Sequence, residues 1–593
     1  MTKVLFVLAV VPIVLAAAPA SAPTIDAFLS PGYPTEIVSA KKADRIAWTA
    51  YERGRRNVYT AAAPAFAPVR LTNVTKDDGV ELSDLAISDD GRVVTFVRGT
   101  APNRAGWVAD PTSNPAGAER TVWAVSTAGG AARDLGEVTT PKLSPDGRSV
   151  VFARDGQIFN YRTSQAPAAS RPIANAVPLI KAWGTNRDPV WSPDGTKVAF
   201  VSDRVDHSFI GIYDMATKDL RFLAPSVDHD TSPTWSLDST RVAFIRRPGT
   251  PFGQQAHQGS GGIGNPDGPA YDPLAALRGG GGRGGRGRGQ QSSRGDDPRA
   301  GLYASAFAGG YTMSFWVGDA ATGSAHEFWH DTKDDKEFNA IAAIEWADAD
   351  HVIFQAEPQE WTRWYSVSVS SAQPRPVTLT PGDGAVEAIS VSSDGKQLFY
   401  ETNAGDIERR HIWKVPTAGG DAEPVTHGET IETYPAVLAS GAFVAELGGD
   451  AKRPFGVGIV STGGGSPKYV YPPLDGFPTD AEVVPQLVIT KAPDGTEIHN
   501  QIFLPKDLRP GERRPAIVFV HGGPVRQMCS ATTTCTSTTS RTPSISGSRR
   551  RVTSSCRSTT AAASATANRS GWRRTPAGAA TPSIRTCSRA AST

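Results

Sequence analysis

The chain has 593 residues and a formal net charge of +2, from 61 basic and 59 acidic side chains. Ten arginines lie between positions 529 and 593, so the rest of the chain carries 51 basic against 59 acidic side chains, or −8. The mild overall basicity therefore gives no reason to predict nucleic-acid binding. All four cysteines lie after residue 528, and we predict no disulfide and no cysteine-bound metal.

Residues 1–20 have the pattern of a secretory signal peptide. A charged start at Met1–Lys3 precedes an apolar run from Val4 to Ala18, and Ala18-Pro19-Ala20 or Ala20-Ser21-Ala22 offers small residues for cleavage. The second site would put Pro23 directly after the cut, so we favour the first. A lone membrane anchor is the alternative, but the run is interrupted by Pro12 and is shorter than the roughly 20 residues of a span. We therefore predict export to the periplasm or beyond the cell, with no membrane span after signal removal.

A turn followed by a short apolar strand recurs between residues 21 and 480. The turns are Ser88–Gly91, Ser144–Gly147, Ser192–Gly195, Ser236–Ser239, Ala347–Asp350 and Ser393–Gly395. Pro and Asp favour the turn, and Gly supplies a positive φ. Spacings of 56, 48 and 44 residues match the period of propeller blades. The fold class predicted is mainly β, with a seven- or eight-bladed TolB-type β-propeller over residues 21–480.

A Gly/Arg-rich stretch interrupts this pattern at residues 254–299. Its composition is that of a flexible segment. Arginine-glycine repeats can bind RNA, but an exported protein offers no evident RNA partner, so we favour an insertion between strands of the propeller. The long interval from the Ser239 turn to the Asp350 turn predicts two blades plus this insertion.

Residues 481–528 have a different pattern. Strands are predicted at Pro485–Thr490, Ile498–Leu504 and Ala516–Val520, with a hairpin turn at Ala492–Gly495. His521, Gly522 and Gly523 follow the last strand directly. In α/β-hydrolases a loop of this type after a strand supplies an oxyanion-hole donor, so these three residues are the candidate site. Alternatively, Gly-Gly-Pro only turns the chain at the end of a strand.

The stretch from 529 to 593 differs from everything before it. Ser, Thr, Arg and Ala make up 50 of its positions, and Asp, Glu, Lys and His are absent. Such a composition cannot bury a core. Read one nucleotide late, residues 553–567 can encode YVVLSVNYRSGIGYG, and residues 583–591 can encode EYQDVLAGG. We therefore predict a frameshift after Met528 and an out-of-frame, disordered tail at 529–593; a disordered Ser/Thr/Arg linker is the alternative.

The string HGGPVRQM at 521–528, together with the strings recovered in the shifted frame, resembles the prolyl oligopeptidase family of serine peptidases, in its dipeptidyl-peptidase and acylaminoacyl-peptidase branch. The resemblance implies a propeller joined to an α/β-hydrolase domain, peptide substrates, a Ser-Asp-His triad that forms an acyl-enzyme, and no cofactor.

The chain as written departs from that family at the triad. It contains no G-x-S-x-G motif and no His after His521, so no catalytic residue is assigned and we predict no activity. The alternative is a non-catalytic periplasmic propeller that binds protein or peptide. Some members of the family bind a peptide's amino terminus with paired glutamates. No stretch matches that device, so exopeptidase or oligopeptidase activity stays open, as does the oligomeric state.

Three groups of histidines and carboxylates have spacings that could suggest a metal. They are Asp206-His207, Asp228-His229-Asp230, and His326 with His330. Scattered His and Asp in propeller loops are more often solvated turn residues, and we predict no metal site.

Overall fold

The computed structural model describes residues 23–520 and the strand Cys556–Ser558. The gaps within the first range are 104–106, 116, 139, 165–176, 205–206, 250–305, 334, 336, 339–340 and 359–360. In this part of the chain the helices are α1 (Ile25–Phe28) and a 3-10 turn (Thr479–Ala481). Neither is long and apolar enough to cross a membrane.

Consecutive strands between residues 33 and 471 form eight antiparallel blades. Blade 1 comprises β1 (Tyr33–Ser39), β2 (Arg45–Glu52), β3 (Arg55–Ala62) and β4 (Val69–Arg70). Blade 2 comprises β5 (Leu82–Ile87), β6 (Val93–Arg98), β7 (Thr121–Ser126) and β8 (Arg133–Glu137). Blade 3 comprises β9 (Lys142–Leu143), β10 (Ser149–Arg154) and β11 (Gln157–Arg162), with an isolated bridge from Ile158 to Ile180. Blade 4 comprises β12 (Thr185–Trp191), β13 (Lys197–Asp203), β14 (Ser208–Asp214) and β15 (Leu220–Phe222).

The second half of the ring has the same plan. Blade 5 comprises β16 (His229–Trp235), β17 (Arg241–Arg247), β18 (Ser314–Asp319) and β19 (Ala325–His330). Blade 6 comprises β20 (Ile344–Trp346), β21 (His351–Ala356), β22 (Arg363–Ser368) and β23 (Val377–Thr378). Blade 7 comprises β24 (Val386–Val391), β25 (Gln397–Thr402), β26 (His411–Pro416) and β27 (Glu423–Pro424). Blade 8 comprises β28 (Ile431–Val437), β29 (Phe443–Gly449), β30 (Gly456–Ser461) and β31 (Lys468–Tyr471).

This architecture confirms the predicted β-propeller and gives it eight blades. One prediction about its spacing was wrong: the interval from Ser239 to Asp350 holds one blade period rather than two. The Gly/Arg-rich stretch lies between β17 and β18 of blade 5, so it lengthens a hairpin connection instead of separating two blades.

The repeated turns join the first strand of a blade to the second. In blade 4, Ser192 Oγ donates to Asp194 Oδ1 at 2.5 Å and accepts the Lys197 N–H at 2.9 Å. Gly195 has a φ of +71° and donates its N–H to the Ser192 carbonyl at 2.8 Å. The side chains of Ser and Asp thus bind the turn's own backbone, which is why the Ser-x-Asp-Gly pattern recurs in blades 2, 3, 4 and 7.

An aromatic side chain occupies the same position of the second strand in seven blades. These residues are Trp48, Phe96, Phe152, Phe200, Phe244, Phe354 and Tyr400, all buried. In six of these blades the residue opposite on the third strand is also aromatic: Tyr59, Trp123, Phe159, Trp316, Tyr365 and Trp413. Each pair packs against the preceding blade, so the core is a series of interfaces between blades. In blade 8 the two positions hold Glu446 and Gly458 instead.

The ring closes where blade 8 packs on blade 1. Trp48 and Tyr59, stacked at 5.5 Å between ring centroids, lie in one buried cluster with Leu447 and Tyr471. The Tyr471 hydroxyl also donates to Glu52 Oε1 at 2.9 Å. Blades 1 and 8 share no strand in the described sheets. Side-chain packing and hydrogen bonds therefore hold this closure.

The two ends of the propeller differ. We call the end with the Ser-x-Asp-Gly turns the turn face, and the end where second strands lead to third strands the loop face. Because strand direction alternates, the fourth strand of each blade also ends at the loop face. The insertion after Arg247 and the chain leaving blade 8 after Tyr471 both start from the loop face.

A separate sheet follows the propeller. Its strands are β32 (Gln486–Lys491), β33 (Glu497–Ile502), β34 (Phe519–Val520) and β35 (Cys556–Ser558), in the order β32-β33-β35-β34. β35 is parallel to β33 and antiparallel to β34. The tail was predicted to lack secondary structure, and these three residues depart from that prediction. The remaining tail residues lie outside the described part of the chain.

Candidate functional site

The candidate oxyanion loop begins where β34 ends. β34 carries the backbone to Val520, and His521, Gly522 and Gly523 lie outside the described residues. The structure thus places the strand that leads into the loop, and it leaves the role of the three residues a prediction.

The hairpin next to this strand forms as the sequence predicts. β32 and β33 pair without interruption from Gln486 opposite Ile502 to Lys491 opposite Glu497. Gly495, with a φ of +86°, donates its N–H to the Ala492 carbonyl at 2.9 Å. The predicted third strand is shorter than expected, because only Phe519–Val520 of the run from Ala516 is paired.

One carboxylate of the propeller holds this hairpin. Glu408 lies in the β25–β26 connection of blade 7, on the loop face, and is 7% exposed. Its Oε1 is 2.8 Å from His499 Nδ1, and its Oε2 accepts a hydrogen bond from Gln501 Nε2 at 3.5 Å. His499 and Gln501 are two positions apart on β33 and therefore lie on the same face of the strand. That face of the hairpin is directed at the propeller.

The rest of this C-terminal sheet is not covered. Its exposed apolar side chains are Val484, Leu487, Ile489, Leu504, Ile517, Val518 and Phe519. Ile517 is 59% exposed and Ile489 is 49% exposed. So many exposed large apolar residues within and beside one small sheet indicate a surface that packs against another protein element. Within the described residues, no such element lies over them.

A cluster of ionisable side chains lies between blades 7 and 8. Arg410 Nη2 bonds Glu387 Oε1 at 2.9 Å, and His411 Nδ1 lies 3.0 Å from Glu432 Oε2. Burial and the charge of Glu387 raise the pKa of Glu401 to about 8, although the Tyr434 N–H and Arg410 oppose the shift. At neutral pH Glu401 is therefore largely protonated.

Glu446 is the most unusual member of this cluster. It is fully buried, and neither of its carboxylate oxygens has a hydrogen-bond partner among the described residues. Burial, followed by the charge of Glu432, raises the pKa of Glu446 well above its ordinary value. Gly458 on the adjacent strand makes room for the carboxyl group, since a Cβ there would collide with it. Glu446 is not among the residues predicted from the sequence, although the eight second strands, compared position by position, show an acid where the other seven have an aromatic residue.

The structure assigns other partners to the histidines and carboxylates with metal-like spacing. Asp230 binds Arg246 in a buried ion pair at 2.7 Å. His330 Nδ1 lies 2.6 Å from the Asp331 carbonyl, and its ring stacks on Tyr311. Over the described residues, no three metal-binding side chains come together. Asp206 lies outside this part of the chain.

The propeller matches a known family over part of its length. Residues 316–446, from blade 5 to blade 8, match the dipeptidyl peptidase IV (DPP IV) N-terminal region. No curated protein sequence matches the chain at a significant level.

Several solved peptidase structures resemble the chain. Dipeptidyl peptidase 4 of Porphyromonas gingivalis has 12% sequence identity and a TM-score of 0.48, with 81% of this chain and 66% of that chain covered. A puromycin-hydrolysing peptidase of Mycobacterium tuberculosis has 13% identity and a TM-score of 0.42, with 81% of this chain and 60% of that chain covered. The β-propeller domain of the Trilobed protease from Pyrococcus furiosus has 13% identity and a TM-score of 0.36, with 66% of this chain and 98% of that chain covered. The chain thus spans less than two thirds of the two whole peptidases.

Because these TM-scores are all below 0.5, the assignment of the fold rests on the strand order and the strand registers of the eight blades. The family match is stronger evidence for the resemblance than the structural scores are, because it covers a segment of the predicted propeller, residues 21–480. It confirms the predicted resemblance for this part of the propeller: residues 316–446 are similar to the N-terminal region of dipeptidyl peptidase IV.

Proposed function

We propose that this chain derives from an exported serine peptidase that cleaves peptides through an acyl-enzyme, and that the chain as written is inactive. The uncovered apolar sheet at residues 484–519 supports the proposal most strongly, because it stands beside the loop face and leads straight into His521-Gly522-Gly523. A sheet that buries one side against a propeller and exposes apolar side chains elsewhere fits the opening of a larger domain.

The proposed domain boundaries follow from this. Residues 1–20 are the signal peptide, 21–480 the propeller with its insertion at 254–299, and 481–528 the start of an α/β-hydrolase domain. Residues 529–593 are out of frame. Export would place the protein in the periplasm or outside the cell, and the amino-terminal sequence of the mature protein tests it: cleavage after Ala20 supports export, and an intact Met1 counts against it.

The proposed chemistry places a preorganised donor at the loop after β34. A tetrahedral intermediate of acyl transfer carries a negative oxygen, and small residues such as Gly522 and Gly523 let backbone N–H groups approach it closely. The His521 side chain or the backbone of this loop would complete that hole. The nucleophilic Ser, its Asp and its His belong downstream of the loop, beyond the break at Met528.

In this proposal the propeller restricts the access of substrates to the hydrolase domain. Its loop face carries both the long insertion of blade 5 and the connection to the C-terminal sheet, so the hydrolase domain would cover this end of the ring. The second candidate function is a non-catalytic propeller that binds protein or peptide. The observation that favours it is the closed ring of eight blades in a chain whose sequence has no G-x-S-x-G motif.

Labelling with a fluorophosphonate probe distinguishes the two functions. The 593-residue chain should not label and should not turn over peptide or ester substrates, because it contains no G-x-S-x-G motif and no His after His521. A version with the reading frame restored near codon 528 should label at a G-x-S-x-G serine and lose labelling when that serine is replaced by Ala. If the His521 side chain helps to hold the oxyanion, His521→Ala in the restored enzyme should slow acylation by up to roughly hundredfold or more, the loss seen when one oxyanion donor is removed. Absence of a serine elbow from the restored frame would leave the binding propeller as the function.

A further inference from the structure

A small pocket opens on blade 6, at the turn face and therefore at the opposite end of the ring from the C-terminal sheet. It has a volume of about 240 Å³ and lies between β22, the β22–β23 connection and Ala418 of blade 7. Sites for drug-sized ligands occupy roughly 300–1,000 Å³, so a pocket of this size would take a compact ligand.

The floor of the pocket contains an unsatisfied polar group. Ser366 on β22 is 2% exposed, and its hydroxyl has no hydrogen-bond partner among the described residues. A buried hydroxyl without a partner costs folding free energy, so such a group is usually matched by a ligand or an ordered water. The neighbouring Ser368 differs, because its hydroxyl donates to Asp350 Oδ2 at 2.6 Å and accepts the Ser371 N–H at 3.1 Å.

A histidine held in a fixed orientation forms one wall. His351 lies opposite Ser368 on the β21–β22 ladder, and its Nδ1 is 2.9 and 3.0 Å from the two oxygens of Asp348. Since the carboxylate accepts from Nδ1, the second ring nitrogen, Nε2, remains as the polar atom that the ring offers to a ligand. Asp348 thus orients His351 without lining the pocket itself.

A cationic side chain lies at the mouth. Arg375 lines the pocket, is exposed, and forms no ion pair within the described residues. Gln373 lines the pocket as well, and the described residues that line it include no acidic side chain. The donors available to a ligand are therefore a guanidinium, a hydroxyl and the N–H groups of an amide.

We propose that this pocket binds a compact oxyanion, either the carboxylate of a small organic molecule or inorganic phosphate. Arg375 would supply charge-assisted hydrogen bonds at the mouth, and Ser366 would donate from the floor. Charge-assisted hydrogen bonds from arginine are among the stronger polar contacts with carboxylates and phosphates. The site is distinct from the proposed peptidase centre, because the two lie at opposite ends of the propeller.

Calorimetric titration of the full chain tests this proposal. The probes are sodium acetate and inorganic phosphate, each against sodium chloride at matched ionic strength. Saturable binding is expected for at least one probe, and the tighter probe tells whether the natural oxyanion is a carboxylate or a phosphate. Arg375→Ala should weaken binding roughly tenfold or more, because it removes both a charge and a donor, and Ser366→Ala about threefold to tenfold, because it removes one donor.

The controls separate binding from folding. Ser366→Ala removes a hydroxyl that has no protein partner, so the thermal midpoint should not fall while the affinity does. Arg133→Ala is the matched control, since Arg133 is an exposed arginine at the start of the outer strand of blade 2, and it should leave the affinity unchanged. The proposal is overturned if neither probe binds saturably, or if the binding survives Arg375→Ala unaltered.

Discussion

The propeller buries its large apolar side chains, whereas the C-terminal sheet leaves many of them exposed. Each blade buries its aromatic pair against the preceding blade, as Trp48 and Tyr59 do at the closure. β32 leaves Leu487 and Ile489 exposed, and β34 leaves Phe519 46% exposed. Both regions form regular strands, so the strands that the local sequence pattern predicts are present in both. The difference shows that the propeller is complete within residues 33–471, whereas the C-terminal sheet needs a cover that the described residues do not supply.

The largest effect is expected at the closure of the ring. Trp48→Ala removes a fully buried indole between blades 1 and 8, and such substitutions cost about 3–5 kcal/mol. Chemical denaturation should show this loss in the cooperative transition of the propeller. A loss below about 1 kcal/mol would mean that side-chain packing does not hold the closure. The matched control is Phe443→Ala, a partly exposed aromatic on β29, which should cost much less.

The second effect is a pH dependence built into the interface of blades 7 and 8. The pKa of Glu401 is about 8 in the folded protein and 4.5 ordinarily, so its protonated form is favoured by folding. The stability that it contributes is fully present below pH 4.5 and is lost as the pH rises through about 8. Glu446, whose pKa is also raised, acts in the same direction.

Glu446→Gln and Glu401→Gln should therefore flatten the fall in stability between about pH 5 and 8. The measurement is the free energy of unfolding by denaturant at a series of pH values. Glu423→Gln, at an exposed position of β27, should leave the pH profile as it is. An unchanged profile in both interface variants would show that these carboxyl groups are not buried in neutral form.

A smaller effect is expected where the C-terminal sheet meets the propeller. His499→Ala removes the contact with Glu408, at a position that is mostly buried, and should cost about 1 kcal/mol of local stability. The hairpin should become more sensitive to limited proteolysis while the propeller keeps its thermal midpoint. Equal loosening of the blades would show that the hairpin belongs to the same cooperative unit.

The smallest effect is expected on the exposed side of the sheet. Leu487→Ser should change the stability of this chain by no more than about 0.5 kcal/mol, because the side chain is already half exposed. In a frame-restored protein the same change should cost more, since the missing domain would bury that position. An equal, small effect in both proteins would mean that nothing covers the sheet.

Sequence patterns predicted the propeller well, because in six of the eight blades the first two strands are joined by a turn whose side chains bind their own backbone. The Ser192–Gly195 turn is an example of such local information. The spacing argument failed in blade 5, because the number of residues between two turns cannot distinguish an extra blade from a long hairpin connection. The hairpin at Ala492–Gly495 was predicted for the same local reason as the blade turns.

Two features of the molecule could be recognised only in the structure and not from the sequence. The first strands of six blades carry a register shift, for example between Ser83 and Ala86, where Asp84 has a φ of +52°. Such bulges depend on strand pairing that single-strand patterns do not reveal. Similarly, Glu446 looks like an ordinary surface glutamate in its own strand, and only its place in the blade shows that it is buried where an aromatic belongs.

Sequencing the gene around codon 528 and translating onward tests the central claim most directly. The account predicts a single-nucleotide difference after Met528, a frame that continues through YVVLSVNYR and EYQDV, and then a G-x-S-x-G motif followed by a His. A gene that encodes residues 529–593 as written, with no hydrolase sequence in either shifted frame, would contradict it.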